Sequence, residues 1–124
     1  MPLVTQADAT THTTPNAVML TYAGPSQGSA ELSVWHLAMQ PGASGPAHAI
    51  DREQVYLVTD GHLTIEVGGQ EHPAGAGDAV IIPAGITRQV RCPGRVPAAA
   101  VVSMATGGRV TVDGEDRGLL PWAT

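Results

Sequence analysis

The chain has 124 residues, of which 43% are hydrophobic and 14% charged, so it is expected to fold as one globular domain. Eleven acidic residues against six basic ones give a net charge of −5, which argues against nucleic acid or an anionic membrane as partner. All six basic residues are Arg, which excludes Schiff-base chemistry on a lysine, and the single cysteine, Cys92, excludes an internal disulfide.

Gly and Pro divide the chain into short segments. Residues 1–15 are polar, without a basic start or an apolar run, so we expect a flexible arm rather than a signal peptide, in a cytoplasmic protein. No later segment has a helical apolar period of sufficient length. Seven short apolar or alternating runs predict β-strands. They are Ala17–Tyr22, Glu31–Met39, Gln54–Val58, Leu63–Val67, Ala79–Ile82, Thr87–Arg91 and Ala98–Met104.

This spacing predicts an all-β domain over residues 16–106, an antiparallel sandwich or barrel. Residues 107–124 form a polar tail that closes on the apolar run Leu119–Trp122. We expect this run to pack on the barrel or on a partner subunit.

Two stretches in the middle of the chain carry a paired motif. The first reads Gly42, five residues, His48-Ala49-Ile50, three residues, Gln54, six residues and Gly61, and the second reads Gly77, five residues, Pro83-Ala84-Gly85, two residues and Arg88. The glycines and the proline mark turns that need a positive or fixed φ. This pattern resembles the cupin superfamily, and the resemblance implies an antiparallel jelly-roll (cupin) β-barrel.

The wider sequence is similar to small single-domain bacterial cupins. The shared features are an aromatic-ended strand, a Pro-Gly before the first motif, a His followed by an acidic cluster, and a Pro-Trp-Ala close. Here they are Glu31–Trp35, Pro41-Gly42, His48 with Asp51–Glu53, and Pro121–Ala123. Cupins often pair through edge strands, so the resemblance also implies a homodimer.

The metal positions of the motif are degenerate. A metal-binding cupin takes three His and one Glu from these motifs, and here the places hold His48, Ile50, Gln54 and Arg88. An aliphatic side chain cannot coordinate a metal, and a guanidinium repels a cation. We therefore expect no cofactor. If a divalent metal does bind, His48 and Gln54 are its expected ligands.

The barrel frame implies that the same positions, with Tyr56, face one interior cavity. His48 is then a candidate general base, and Arg88 with Tyr56 is placed to hold a developing oxyanion. Gln54 can orient a ligand but cannot carry a proton. The residues expected to contact the substrate are Ile50, Gln54, Val58, Arg88 and Val90.

Structural alternatives stand beside these roles. His48 can be a hydrogen-bonded barrel residue, Tyr56 can fill space, and Arg88 can pair with Asp51 or Glu53. The alternation leaves open which face Trp35 and His36 take. Four other residues are expected outside the site: His12 in the arm, His62 and His72 facing solvent, and Cys92 as an inert thiol.

Three hypotheses follow for the function of the protein. In each, the cavity takes a small organic ligand, which is an anion or a carbonyl compound. The first is a metal-independent enzyme that moves a proton, as an isomerase, cyclase or dehydratase does. The second is a module that binds or senses the ligand without catalysis. The third is a divergent metal-dependent oxygenase. His48 separates the first two, because catalysis requires its ring whereas binding does not.

Overall fold

The computed structural model describes residues 2–124, which form twelve β-strands and three short 3₁₀ helices. The strands are β1 (Thr10–Thr13), β2 (Val18–Ala23), β3 (Leu32–Met39), β4 (Ala49–Ile50), β5 (Gln54–Asp60), β6 (His62–Val67), β7 (Gln70–Gly75), β8 (Ala79–Ile82), β9 (Arg88–Arg91), β10 (Ala98–Ala105), β11 (Arg109–Val112) and β12 (Glu115–Leu119). The 3₁₀ helices are Gln6–Asp8, Pro25–Gln27 and Pro121–Ala123. Within residues 2–124, each helix is a single turn, and none has the length or hydropathy of a membrane span.

All strand pairs are antiparallel, and the strands form three sheets. A six-stranded sheet has the order β1-β2-β3-β10-β5-β8, and two three-stranded sheets have the orders β7-β6-β9 and β12-β11-β4. The hydrophobic core combines side chains of all three, among them Trp35, Ile50, Ile65 and Val102. The predicted all-β antiparallel fold is confirmed.

The seven predicted strands are present, with ends that differ by at most two residues. Five further strands have weak apolar patterns: β1, β4, β7, β11 and β12. β7 contains Pro73 and Gly75, β12 contains Gly118, and β4 has only two residues. Their pairing depends on neighbouring strands rather than on their own residues, which is why their sequences did not predict them.

The expected arm is partly a strand. β1 pairs with β2 in a register that joins Thr10 to Thr21 and Thr13 to Val18, so residues 10–13 extend the six-stranded sheet. The sheet therefore ends at β1 on one side and at β8 on the other. A second copy of the chain could cover either edge; the expected homodimer stays a prediction.

The end of the tail packs on the barrel. The Thr21 hydroxyl donates to the Trp122 carbonyl over 2.6 Å, and the Ser33 hydroxyl donates to the Ala123 carbonyl over 2.7 Å. Leu120 and Ala123 are buried. The sequence left open whether this apolar run packs on the barrel or on a partner subunit, and in the structure it packs on the barrel.

The motif glycines take the backbone shape that their turns require. Gly61 has φ +65° between β5 and β6, and a Cβ there would collide with the Pro97 carbonyl. Gly85 has φ +80°, and its N–H donates to the Ile50 carbonyl over 2.7 Å. This bond ties the second motif to the first and brings their functional positions together.

Candidate functional site

A cavity of about 440 Å³ lies inside the barrel and opens toward the tail. Its wall is mainly apolar and aromatic, with side chains from β2, β3, β9 and the last turn. Six of them are Met19, Trp35, Leu37, Met39, Val90 and Trp122. The polar side chains that reach the cavity are Thr14, Asn16, His48, Gln54, Tyr56 and Arg117. An apolar chamber with a few polar groups is typical of small-molecule sites.

The alternation of β5 brings Gln54 and Tyr56 to the cavity. Gln54, Tyr56 and Val58 are buried, whereas Val55 is half-buried and Leu57 is exposed. This period of two places the first two side chains on one wall of the cavity. Gln54 and Tyr56 therefore share the inner face of β5.

His48 is held opposite Arg88 by backbone hydrogen bonds. The His48 N–H donates to the Arg88 carbonyl over 2.9 Å, and the Arg88 N–H donates to the His48 carbonyl over 2.7 Å. The His48 ring nitrogen Nδ1 lies 2.9 Å from the Pro46 carbonyl oxygen. A carbonyl only accepts, so Nδ1 carries the proton, and Nε2 of the neutral ring has a free lone pair.

The surroundings keep the His48 ring neutral. Burial lowers the pKa of His48 below its ordinary value of 6.5; the Pro46 bond raises it, and the Arg88 charge lowers it further. Burial dominates, so the neutral imidazole persists below the pH at which a free histidine gains its charge. A neutral ring with an unprotonated Nε2 can accept a proton from a bound ligand.

Tyr56 presents a hydroxyl to the cavity. The side chain is 6% exposed and lines the wall. Burial raises the pKa of Tyr56 to about 12, although the Arg88 charge opposes that rise. The hydroxyl is therefore protonated at neutral pH and can donate a hydrogen bond to a ligand oxygen.

Gln54 and Arg88 form a buried pair. Arg88 is 1% exposed, and its Nη1 donates to Gln54 Oε1 over 2.9 Å. Its Nε donates to the Ile86 carbonyl over 2.9 Å, and its Nη2 donates to the Pro83 carbonyl over 3.0 Å. Because a guanidinium only donates, Gln54 must turn Oε1 toward Arg88, which leaves Nε2 on the other side. Gln54 Nε2 lies 3.5 Å from the Met104 sulfur, a weak acceptor.

Three expected positions are corrected. Ile50, Val58 and Arg88 are each 1% exposed, and they lie in the packed interior rather than on the cavity wall. Arg88 lies behind Gln54 because the turn carbonyls of Pro83 and Ile86 hold its guanidinium there. The expected pairing of Arg88 with Asp51 or Glu53 is wrong. Asp51 instead accepts the Arg109 backbone N–H over 2.8 Å and pairs with Arg52.

The donor set does not fit a metal ion. At the four motif positions, His48 offers one ring nitrogen and Ile50 offers nothing, while Gln54 Oε1 already accepts from the Arg88 cation. Among residues 2–124, the His, Cys, Asp and Glu side chains form no group of three that could hold a metal. A cation at Gln54 would have to displace Arg88 against the charge of its guanidinium.

The sequence did not predict three cavity residues. Trp35 faces inward and Trp122 arrives from the last turn, while Arg117 lies on β12 at the mouth. Asp113-Gly114, with φ values of +52° and +76°, forms the turn that folds β12 back. The Asp-Gly pair between Val112 and Glu115 was the signal that could have predicted this hairpin.

The remaining candidates lie elsewhere. His36 is half-buried on the outer face of β3, opposite Trp35. His62 is exposed, whereas His72 and His12 are half-buried on strands β7 and β1. Cys92 is fully buried, and its thiol lies 3.6 Å from the Val96 carbonyl.

Solved structures show the same fold. The polyketide cyclase RemF from Streptomyces resistomycificus matches with a TM-score of 0.75 at 16% identity, over 96% of this chain and 83% of that one. A sugar phosphate isomerase of the cupin superfamily from Silicibacter pomeroyi matches with 0.70 at 21% identity, over 90% and 82%. An RmlC-like cupin from Shewanella frigidimarina matches with 0.69 at 18% identity, over 80% and 85%.

The sequence has one informative match, to a family model. A search of curated proteins found no significant match. A family model described as Cupin domain matches residues 35–104, a range that contains both motifs and the strands between them. The predicted antiparallel jelly-roll barrel is thereby confirmed, and the chain belongs to the cupin family.

Proposed function

We propose that the protein is a metal-independent enzyme that moves a proton on an apolar carbonyl compound bound in the cavity. The observation that carries this proposal is the state of His48. Its Nδ1 proton is committed to the Pro46 carbonyl, burial disfavours a second proton, and the ring borders an apolar cavity. Such an imidazole is a general base that operates at neutral pH.

The reaction begins at the carbon next to the ligand carbonyl. His48 Nε2 takes a proton from that carbon, the C–H electron pair forms a C=C bond, and the carbonyl π pair moves onto oxygen. Tyr56 donates its hydroxyl hydrogen bond to the resulting enolate oxygen. In a ligand with a C=C bond at the β,γ position, return of the proton to the γ carbon moves the double bond and completes an isomerisation. Attack of the enolate carbon on a second carbonyl moves the π pair of that carbonyl onto its oxygen, which takes the proton from the His48 imidazolium and completes a ring closure. For a dehydration, His48 then removes a second proton from the carbon next to the first carbonyl, the C–H pair forms a C=C bond, and the hydroxyl group leaves with that proton as water.

The cavity wall favours an apolar substrate. Trp35 and Trp122 supply flat surfaces, and Leu37, Met39 and Val90 complete the wall. A sugar phosphate would leave several hydroxyl groups without partners against these side chains, which is costly. Of the two enzymes named above among the structural relatives, the polyketide cyclase therefore acts on a substrate class closer to what this cavity can hold.

Deuterium exchange tests the proposal without knowledge of the natural substrate. The probe is 2-tetralone, an enolisable bicyclic ketone, in D₂O, with loss of the proton signal next to the carbonyl followed by NMR. We expect the exchange rate with the protein to exceed that in buffer alone. His48→Ala should reduce this excess rate by about 10²-fold or more. His62→Ala, at an exposed histidine, is the matched control and should change nothing.

The same experiment distinguishes binding from catalysis. Trp35 and Trp122 are the two tryptophans of the chain, and both line the cavity, so their fluorescence reports binding of 2-tetralone. If 2-tetralone binds and is not exchanged, or is exchanged equally by His48→Ala, the enzymatic proposal is overturned. The non-catalytic binding module then stands in its place.

A further inference from the structure

Arg88 is a buried cation without an acidic partner. Its three contacts are the amide oxygen of Gln54 and two backbone carbonyls, and within residues 2–124 no carboxylate forms an ion pair with it. These neutral acceptors give each of its three nitrogens one hydrogen bond but do not cancel its charge. A buried charge that is not cancelled is costly, and a negative charge placed nearby relieves part of that cost.

The charge of Arg88 reaches the cavity through Gln54. The guanidinium pulls electron density toward Gln54 Oε1 and makes the N–H groups of Nε2 stronger donors. Gln54 lines the cavity, and Nε2 has the Met104 sulfur as its one weak contact within residues 2–124. The Tyr56 hydroxyl borders the same cavity and feels the same charge.

We propose that Arg88 and Gln54 make the cavity a binding site for an oxyanion, of the phenolate or enolate class. Gln54 Nε2 and the Tyr56 hydroxyl contact the oxygen, and Arg88 supplies the positive charge from behind. Arg88 is thus a positioning residue that never touches the ligand. The site selects a delocalised anion with an apolar body, because the rest of the wall is apolar.

This inference rests on the cavity of the proposed function but does not require turnover. Gln54 Nε2 and Tyr56 would give the enolate of that reaction two donors instead of one. An inert phenolate has the same oxyanion on a flat apolar body. Binding of such an anion therefore tests the inference by itself, whereas exchange of 2-tetralone tests the reaction.

The experiment compares 4-nitrophenol with 4-nitroanisole. The first has an acidic hydroxyl whose anion is yellow, and the second has the same ring without an ionisable group. Absorbance of 4-nitrophenol with the full-length protein gives its pKa when bound, and titration gives the affinity of both probes. We expect the anion to bind roughly tenfold or more tightly than 4-nitroanisole, with a lowered pKa of the bound phenol.

Gln54→Glu is the decisive variant. It keeps the shape of the side chain and its contact with Arg88, but its carboxylate cancels the buried charge and removes the Nε2 donors. The anion preference should fall roughly tenfold or more. Gln70→Glu adds the same charge at an exposed position and should retain the preference.

Two results would overturn the inference. One is a wild-type protein that binds the anion no more tightly than 4-nitroanisole, which needs no variant to observe. The other is a preference that survives in Gln54→Glu and disappears in Arg117→Gln, since the charge would then come from the cavity mouth. Anion binding without exchange of 2-tetralone would support the site and reject the reaction.

Discussion

Two arginines flank the same cavity under opposite conditions. Arg88 is 1% exposed behind Gln54, and within residues 2–124 its guanidinium donates hydrogen bonds to neutral oxygens alone. Arg117 lies at the mouth with 53% of its side chain exposed, and it pairs with Glu115 over 3.3 Å. Glu115 is itself 73% exposed. Of these two guanidinium groups, that of Arg88 therefore has an unscreened charge, whereas that of Arg117 shares its charge with water and a carboxylate.

The difference shows that distance to a cavity does not decide electrostatic influence. Two unit charges 4 Å apart interact by about 1 kcal/mol in water but by about 4 kcal/mol at the effective dielectric of a protein site. Arg88 is surrounded by protein, so the larger interaction energy applies to it. Arg117 is exposed to water, so the smaller one applies. Arg88 accordingly lowers the pKa of both His48 and Tyr56, each mainly shifted by burial.

The largest expected effect is the loss of Arg88. Arg88→Met would leave Gln54 Oε1 and the Pro83 and Ile86 carbonyls without their donors. Gln54 Oε1 is buried, and the bonds to the two carbonyls are partly buried. A buried acceptor without its donor costs roughly 1–3 kcal/mol and a partly buried one less, and removal of a buried charge offsets part of this cost, so we expect a net loss of about 3 kcal/mol. Urea unfolding monitored by tryptophan fluorescence measures it.

Arg117→Met is the matched control for that measurement. Its surface ion pair contributes at most about 1 kcal/mol, and the expected change in unfolding free energy is below about 0.5 kcal/mol. Equal losses of unfolding free energy in the two variants would contradict this expectation. They would mean that burial of the guanidinium does not determine its contribution to stability.

The second effect concerns Tyr56, on the strand that carries Gln54. Its pKa is raised from 10.0 to about 12 in the folded protein, so between those values the unfolded chain has lost the proton that the folded one keeps. Stability is therefore expected to fall as pH rises through this range, by at most about 3 kcal/mol. Urea unfolding at several alkaline pH values measures the slope.

Tyr56→Phe should remove that alkaline slope. Tyr22→Phe is the matched control, because Tyr22 is the other tyrosine of the chain and lies outside the cavity wall. Retention of the slope in Tyr56→Phe would show that a group other than Tyr56 causes it. In the exchange assay, Tyr56→Phe should lower the rate about 10²-fold through loss of an oxyanion donor.

The sequence predicted the position of Arg88 better than that of Arg117. The motif placed Arg88 in the interior because its glycines and proline fix the turns around it. It could not show that turn carbonyls at Pro83 and Ile86 hold the guanidinium, since a carbonyl direction depends on local φ and ψ. Arg117 was missed because β12 has no apolar alternation and is positioned by pairing with β11.

A third effect is the pH dependence of His48. Burial lowers its pKa below 6.5, so the folded protein binds a proton less readily than the unfolded chain. Stability should be complete above pH 6.5 and decline as pH falls toward the folded pKa. Exchange of 2-tetralone should likewise persist below pH 6.5 and be lost on further acidification, because the base is active when neutral.

Arg88 helps to lower the pKa of His48 and therefore affects the pH below which exchange is lost. We expect no such effect from Arg117. Arg117→Gln should leave the apparent pKa of the exchange reaction unchanged. Gln54→Glu should raise it, because a carboxylate beside Arg88 cancels the charge that opposes protonation of His48. An unchanged profile in Gln54→Glu would indicate that burial alone sets the His48 pKa.

The smallest effect is expected for Arg117 itself. Water and Glu115 screen its charge, so Arg117→Gln should weaken binding of the 4-nitrophenol anion by no more than about threefold, and this loss should disappear in high salt. Arg95→Gln, at another exposed arginine, is the control for net charge. Titrations at low and high salt measure the difference. A salt-independent loss in Arg117→Gln would mean that the anion contacts this guanidinium directly, and that the mouth rather than the interior holds the ligand's charge.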